Sequence, residues 1–179
     1  VHGFGMFLAV LLLGSRMRSM PERSSQGGWR QAFCRRESLP LDYVDSVVPI
    51  AERIAERMRL HRSDNPLIVG LNGAPGTGKS TLSRCVSALL SEQGLRVHVL
   101  ALDDVYYTKA ERQDVASRVH PLLSTRGVPG THDVKLAMTV IDVLCGQQRS
   151  LRGLPRFDKG RDDRMSSWDP LPAEVPDII

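Results

Sequence analysis

From Val44 onward apolar residues recur at helical spacing: Val44, Val47, Val48, Ala51, Ile54, Ala55 and Met58. The spacing predicts a helix, with Pro49 kinking it or splitting it into two abutting helices. Asn65-Pro66 ends the stretch. Residues 67–71, Leu-Ile-Val-Gly-Leu, read as a short buried strand, and residues 73–80 as a Gly-rich turn. From Lys79 to Gln93 a second helical pattern puts Leu82, Val86, Leu89 and Leu90 on one face and stops at Gly94. Residues 96–102 do not alternate cleanly and read as a second buried strand. Thr108 and Glu111 form a capping-box pair for a polar helix running to about Arg118. A loop with Gly127, Pro129 and Gly130 follows. Val134, Ala137, Met138, Ile141 and Leu144 then mark another helix, ended near Gly146. Past Leu151 the chain is rich in Arg, Asp and Pro, and residues 175–179 read as the start of a strand. Alternating strands and helices argue for an α/β layered fold with a parallel sheet.

Charge is unevenly placed. Residues 1–40 hold six arginines against two glutamates, which leaves eighteen cations and eighteen anions in the rest of the 179-residue chain. The excess belongs to the N-terminal segment, so no nucleic-acid surface is expected on the domain. Within that segment the apolar run 4–13 is too short to span a bilayer, and its arginines follow it where a signal peptide would have them precede it. The chain starts with Val, with Met6, Met17 and Met20 downstream. Residues 1–40 are therefore expected to be a disordered leader or an upstream extension of the reading frame, and no stable membrane association is expected. A weak membrane anchor is the lesser alternative. Cys34, Cys85 and Cys145 are odd in number and form no C-x-x-C pair, which fits reduced thiols in a cytoplasmic protein.

Gly73-Ala74-Pro75-Gly76-Thr77-Gly78-Lys79-Ser80 matches G-x-x-x-x-G-K-[ST] at every fixed position. An apolar strand precedes it and an amphipathic helix follows, as the chemistry needs. Glycines allow the tight backbone whose N–H groups face phosphate oxygens, and the helix adds its positive end. Lys79 would reach the β- and γ-phosphates, and Ser80 would give a hydroxyl to Mg²⁺. The cofactors expected are ATP and Mg²⁺. The loop leaves the phosphate acceptor open.

Asp103-Asp104 closes the second predicted strand, at the end where a parallel sheet meets its ligand. A motor-type ATPase places its Mg²⁺-holding carboxylate further along than the 24 residues between Lys79 and Asp103. In small-molecule kinases a carboxylate at this place takes the proton of the acceptor hydroxyl, and the spacing favours that reading. Capping or turn aspartates are the plainer alternative. A GTPase would want Asn-Lys-x-Asp, and residues 157–160 have the wrong order.

Three blocks together carry a resemblance. They are Leu102-Asp103-Asp104-Val105-Tyr106, then Thr125-Arg126-Gly127-Val128-Pro129-Gly130-Thr131-His132-Asp133, then Leu154-Pro155-Arg156-Phe157-Asp158-Lys159 with Arg161-Asp162-Asp163-Arg164. From about Leu41 to Ile179 the chain resembles the D-glycerate 3-kinase family, P-loop kinases related to uridine kinase, phosphoribulokinase and pantothenate kinase. Val105 stands where that family more often has an aromatic residue. The resemblance implies a P-loop three-layer α/β/α domain over residues 41–179, with its C-terminal part missing. It implies ATP-dependent phosphorylation of a small hydroxy acid, D-glycerate foremost. Another small alcohol, or nucleotide binding without turnover, is the alternative. Residues 73–81, Gly73 to Thr81, would hold ATP, with Lys79 also catalytic. Asp103 would be the catalytic base, and with Ser80 would face the metal. Asp104, Arg126, His132, Asp133, Arg156, Asp158 and Lys159 fall in the acceptor blocks.

Bottom-up chemistry asks one further thing of a hydroxy-acid site, a guanidinium to hold the carboxylate in a fork. Arg126 or Arg156 could supply it. Each could equally be half of a solvated ion pair, Arg161 to Arg164 could pair among themselves, and His132 could cap the helix at Asp133. Trp29 and Trp168 have no assigned role. As an N-terminal fragment of such a kinase, the chain alone is expected to be poorly soluble and inactive, with an unpaired edge on the 67–71 strand.

Overall fold

The computed structural model describes residues 8–10 and 28–179. They form two compact units, the first ending at Val99 and rejoined by Pro176–Ile179, the second Leu100–Val175. The apolar run 4–13 lies outside the described residues except for residues 8–10.

The first unit is built on two packed helices. Helix α2, Tyr43–Leu60, buries Val44, Val47, Ala51, Ile54 and Ala55, as its spacing predicts. Pro49 lies inside it without dividing it: one eighteen-residue helix stands where two abutting helices were an option. Helix α3, Lys79–Glu92, packs on α2 and buries Leu82, Cys85, Leu89 and Leu90. Strand β2, Val69–Leu71, leads into the phosphate loop. Beside it, Leu67 N donates to Asp177 O (2.9 Å) and Val69 N to Ile179 O (2.8 Å). On the other side of 177–179, His98 N donates to Ile178 O (2.9 Å) and Asp177 N to Arg96 O (2.8 Å). Both Leu67 and Val97 bridge Ile178 in parallel. The start of a third strand thus inserts between the first and the second. Arg96 locks it by closing a fork on Asp177, Nη2 to Oδ1 at 2.7 Å and Nε to Oδ2 at 3.0 Å.

Two expectations change here. Residues 28–40 are not a disordered leader. Gly28–Glu37 is a helix, α1, with Phe33 and Cys34 buried in the same core as α2 and α3. Trp29 and Phe33, one turn apart, meet edge to face with centroids at 6.2 Å, and Trp29 Nε1 donates to Glu92. Arg84 closes on Glu37 at 2.5 Å. An otherwise polar helix anchored by so few residues leaves no apolar period to read. The 67–71 edge is also not bare, because β1, Leu8–Val10, pairs antiparallel with β2 in the register Leu8 to Leu71. Among the described residues the three cysteines are free, and burial pushes the Cys85 thiol up to about 11, away from reactivity. No helix of the described residues is long and apolar enough to cross a membrane.

The second predicted strand is shorter than its apolar run. Its ladder to residues 177–179 runs as far as His98, and Leu102–Val105 is a 3₁₀ turn. That turn opens the second unit. Helix α4, Lys109–Arg118, begins on the predicted capping box: Glu111 N donates to Thr108 Oγ1 (3.2 Å) and Thr108 N to Glu111 Oε2 (2.7 Å). Helix α5, Val134–Leu144, is capped by Asp133, whose Oδ1 accepts from Leu136 N at 2.9 Å. Only Val140 and Leu144 of α5 are buried, while Val134 and Met138, assigned to its apolar face, are exposed. Strands β3, Phe157–Asp158, and β4, Asp163–Arg164, form a small hairpin absent from the sequence reading.

The capping box gives a stability prediction. Burial would raise the Glu111 carboxyl, but the Thr108 N–H and hydroxyl outweigh it and hold it below its usual 4.5. With the folded value lowered, its contribution is present above the unfolded value and lost as pH falls through the folded one. Thr108→Ala is expected to cost about 1 kcal/mol at neutral pH. Thermal melts of parent and variant should differ clearly at neutral pH, and the difference should narrow in acid without vanishing, because the bond from Glu111 N to Thr108 Oγ1 carries no charge.

Candidate functional site

In the first unit the predicted phosphate loop runs from the end of β2 to the first turn of α3. Gly76 (φ 79°) and Gly78 (φ 80°) adopt left-handed backbone, which side-chain-bearing residues rarely take. A Cβ at Gly73 would meet Thr77 Oγ1 at 3.1 Å. The loop holds its own shape: Asn72 Oδ1 accepts from Gly73 N (2.8 Å), and Thr77 Oγ1 donates to Ala74 O (2.8 Å). Lys79 arches back, its Nζ donating to Gly73 O (2.6 Å) and Ala74 O (2.8 Å). Residues 73–78, including Pro75, are exposed, and Ser80 and Thr81 lie in the first turn of α3. Open amides, a helix N-terminus and a lysine on the loop's mouth suit a polyphosphate. Among the described residues no cluster of three or more His, Cys, Asp or Glu could hold a metal.

The second unit gathers the remaining predicted residues around Phe157. The adjacent aspartates of the 3₁₀ turn divide their tasks. Asp104 is buried; its Oδ1 accepts from Phe157 N (3.0 Å) and its Oδ2 from Arg156 Nη1 (2.8 Å). Asp103 is half-exposed and pairs with Lys159 Nζ at 2.5 Å. Lys159 O accepts from Arg126 Nη1 (3.2 Å), which also donates to Asp162 Oδ1 (2.8 Å). Arg156 is held a second time, Nε to Asp169 Oδ2 at 2.7 Å, and Asp169 together with Asp104 pushes its guanidinium further up. His132 stacks on Tyr106 with centroids 4.1 Å apart. Burial pushes the Tyr106 phenol up, and the charge of Asp103 adds to this. Asp158 is a turn residue. Its Oδ1 accepts from Arg161 N and Gly160 N, bonds that hold its carboxyl below the usual range.

Residues 40–108, which contain the phosphate loop and both aspartates, match the family described as Methylmalonyl Co-A mutase-associated GTPase MeaB. An uncharacterized kinase of Schizosaccharomyces pombe, mug58, is 34% identical over 98 residues, 54% of this chain and 35% of that protein. The chloroplastic D-glycerate 3-kinase of Arabidopsis thaliana is 30% identical over 152 residues, 74% of this chain and 33% of that one. Among solved structures, a putative fructose transport system kinase from Silicibacter aligns with a TM-score of 0.55 at 31% identity, over 66% of this chain and 54% of that chain. This chain is a relative of the P-loop kinases. Its fold is theirs. It spans about a third of the length of the curated relatives named here.

The structure brings Asp103, Lys159 and Arg126 into one chain of contacts. It gives Asp104 to Phe157 N and Arg156, Asp158 to the backbone of its turn and Asp133 to a helix cap, so the cap is not His132. Arg161 to Arg164 do not simply pair among themselves. Asp162 bonds Arg112 and Arg126, while Arg164 Nη2 donates to Tyr106 O (2.6 Å). Sequence reading missed Arg112, the one buried residue of α4. A helix with no apolar stripe that still belongs to a packed unit was the available signal.

Proposed function

We propose that the protein carrying this chain transfers the γ-phosphate of ATP to the hydroxyl of a small hydroxy acid, D-glycerate foremost. The observation that carries the reading is the Asp103–Lys159–Arg126 chain: a half-exposed carboxylate paired with Lys159, whose backbone oxygen accepts from Arg126, on the unit that does not carry the phosphate loop. In this reading Asp103 accepts the hydroxyl's proton, and the cations take the acid's carboxylate. The loop residues would hold the nucleotide, and the Ser80 hydroxyl would hold a Mg²⁺ that supplies counter-charge to its phosphates. His132, packed on Tyr106, lines the acceptor side. The likeness to a D-glycerate 3-kinase over 74% of the chain supports this choice of acceptor.

The test is nucleotide diphosphate release with ATP or GTP and, in turn, D-glycerate, pantothenate, fructose and uridine. D-glycerate with ATP should give the highest kcat/KM. An uncharged best acceptor would remove the hydroxy-acid assignment. Turnover of GTP alone would move the chain towards the GTPases that its phosphate-loop segment also matches.

A further inference from the structure

Two arginines were candidates for the acceptor's carboxylate, and their hydrogen bonds separate them. Arg156 spends Nε on Asp169 and Nη1 on Asp104, so two carboxylates already surround it and no free pair of adjacent donors faces outward. Arg126 is held differently. Both of its bonds leave from Nη1, to Asp162 Oδ1 and Lys159 O. Among the described residues its Nε and Nη2 make no hydrogen bond. That edge is one of the two on which a guanidinium receives a carboxylate in a fork.

What fixes Arg126 is a brace. Asp162 gives Oδ1 to Arg126 and Oδ2 to Arg112 Nη2 (2.7 Å). The Arg112 side chain is 1% exposed, and each of its nitrogens donates, Nη1 to Tyr107 O (2.7 Å), Nη2 also to Asp162 O (2.8 Å) and Nε to Ser124 O (3.3 Å). Both guanidinium carbons lie 5.6 Å from the centroid of Phe157. Asp162 holds φ 54°, a left-handed backbone in the turn between β3 and β4 that aims its carboxylate at the two arginines. Without this brace a half-exposed arginine would sample many rotamers, and ordering it would subtract from binding.

We propose that Asp162, anchored by the buried Arg112, is a positioning residue that presents the Nε/Nη2 edge of Arg126 to the carboxylate of the acceptor. The inference rests on the hydroxy-acid reading above. It makes Arg126 the carboxylate-specificity residue and gives Arg156 a structural task.

Asp162→Asn tests it in the full protein, because asparagine tolerates left-handed backbone. The amide removes the charge and turns one oxygen into a donor facing a donor. KM for D-glycerate should rise about 10–100-fold, the worth of a charge-assisted hydrogen bond, while kcat and KM for ATP stay within a few-fold. Arg126→Lys should show the same split. With glyceramide, which lacks the carboxylate, both variants should match the parent, an outcome that general loss of structure would not give. A parent active on D-glycerate with an unchanged KM in Asp162→Asn would overturn the brace and leave the proposed function standing. Equal losses on D-glycerate and glyceramide would reduce Asp162 to a structural residue. A parent that accepts only uncharged alcohols would remove both readings.

Discussion

Asp103→Asn is expected to lower kcat by about 10²–10⁴ while leaving ATP affinity nearly unchanged, the loss that follows removal of a positioned general base. Shape is preserved and the proton acceptor is not. The neighbouring substitution is the control that makes the result specific. Asp104 is buried and gives both oxygens to structure, one to the Phe157 N–H and one to Arg156. Asp104→Asn keeps the first bond and sets an amide donor against a guanidinium donor in the second. It should therefore lower the melting temperature more than it lowers kcat. Steady-state kinetics beside thermal melts on both variants will read the difference. If both aspartates cost the same small amount of activity, Asp103 is structural and the acceptor base lies elsewhere.

Much of this arrangement was legible because the relevant signals are local. The phosphate loop is a contiguous string in which Gly76 and Gly78 sit where the backbone turns left-handed, and the flanking strand and helix follow from their apolar patterns. The capping box at Thr108 and Glu111 is equally local, its two members three positions apart. What escaped was set by partners distant in sequence. The 96–102 run reads as a strand by composition, yet Leu102 belongs to a 3₁₀ turn and the ladder partners, residues 177–179, lie eighty positions away. Helix α1 is anchored through Trp29, Phe33 and Cys34 against a core supplied by α2 and α3, so no period announces it. The division between Asp103 and Asp104 is also nonlocal. Adjacent identical residues differ only because residues 156, 157 and 159 reach one or the other. The same holds for Arg112, which looks like a surface residue of a polar helix until Asp162, fifty positions on, is placed beside it.

Lys79→Ala is expected to remove most ATP binding and turnover without unfolding the protein. In the structure the Lys79 ammonium is bound to two neutral carbonyl oxygens of its own loop, Gly73 O and Ala74 O. Both bonds are exposed, so their loss costs folding little. A polyphosphate would offer the same ammonium charged oxygens instead. An ammonium making two such charge-assisted bonds accounts for a loss of about 10²-fold or more in affinity when it is removed. Charge shifts further onto the transferring phosphoryl oxygens during reaction, so turnover at saturating ATP should fall by roughly another 10²–10³-fold, as when a preorganised donor is deleted elsewhere. Lys79→Arg should rescue only part of this. Its planar fork is longer and cannot occupy the point between the loop carbonyls that a single ammonium fills. Equilibrium binding of a fluorescent ATP analogue separates the affinity loss from the turnover loss, and circular dichroism melts confirm an intact fold. A Lys79→Ala protein that binds and turns over ATP like its parent would show that residues 73–80 do not hold the nucleotide. The remaining assignments for ATP and Mg²⁺ would fall with them.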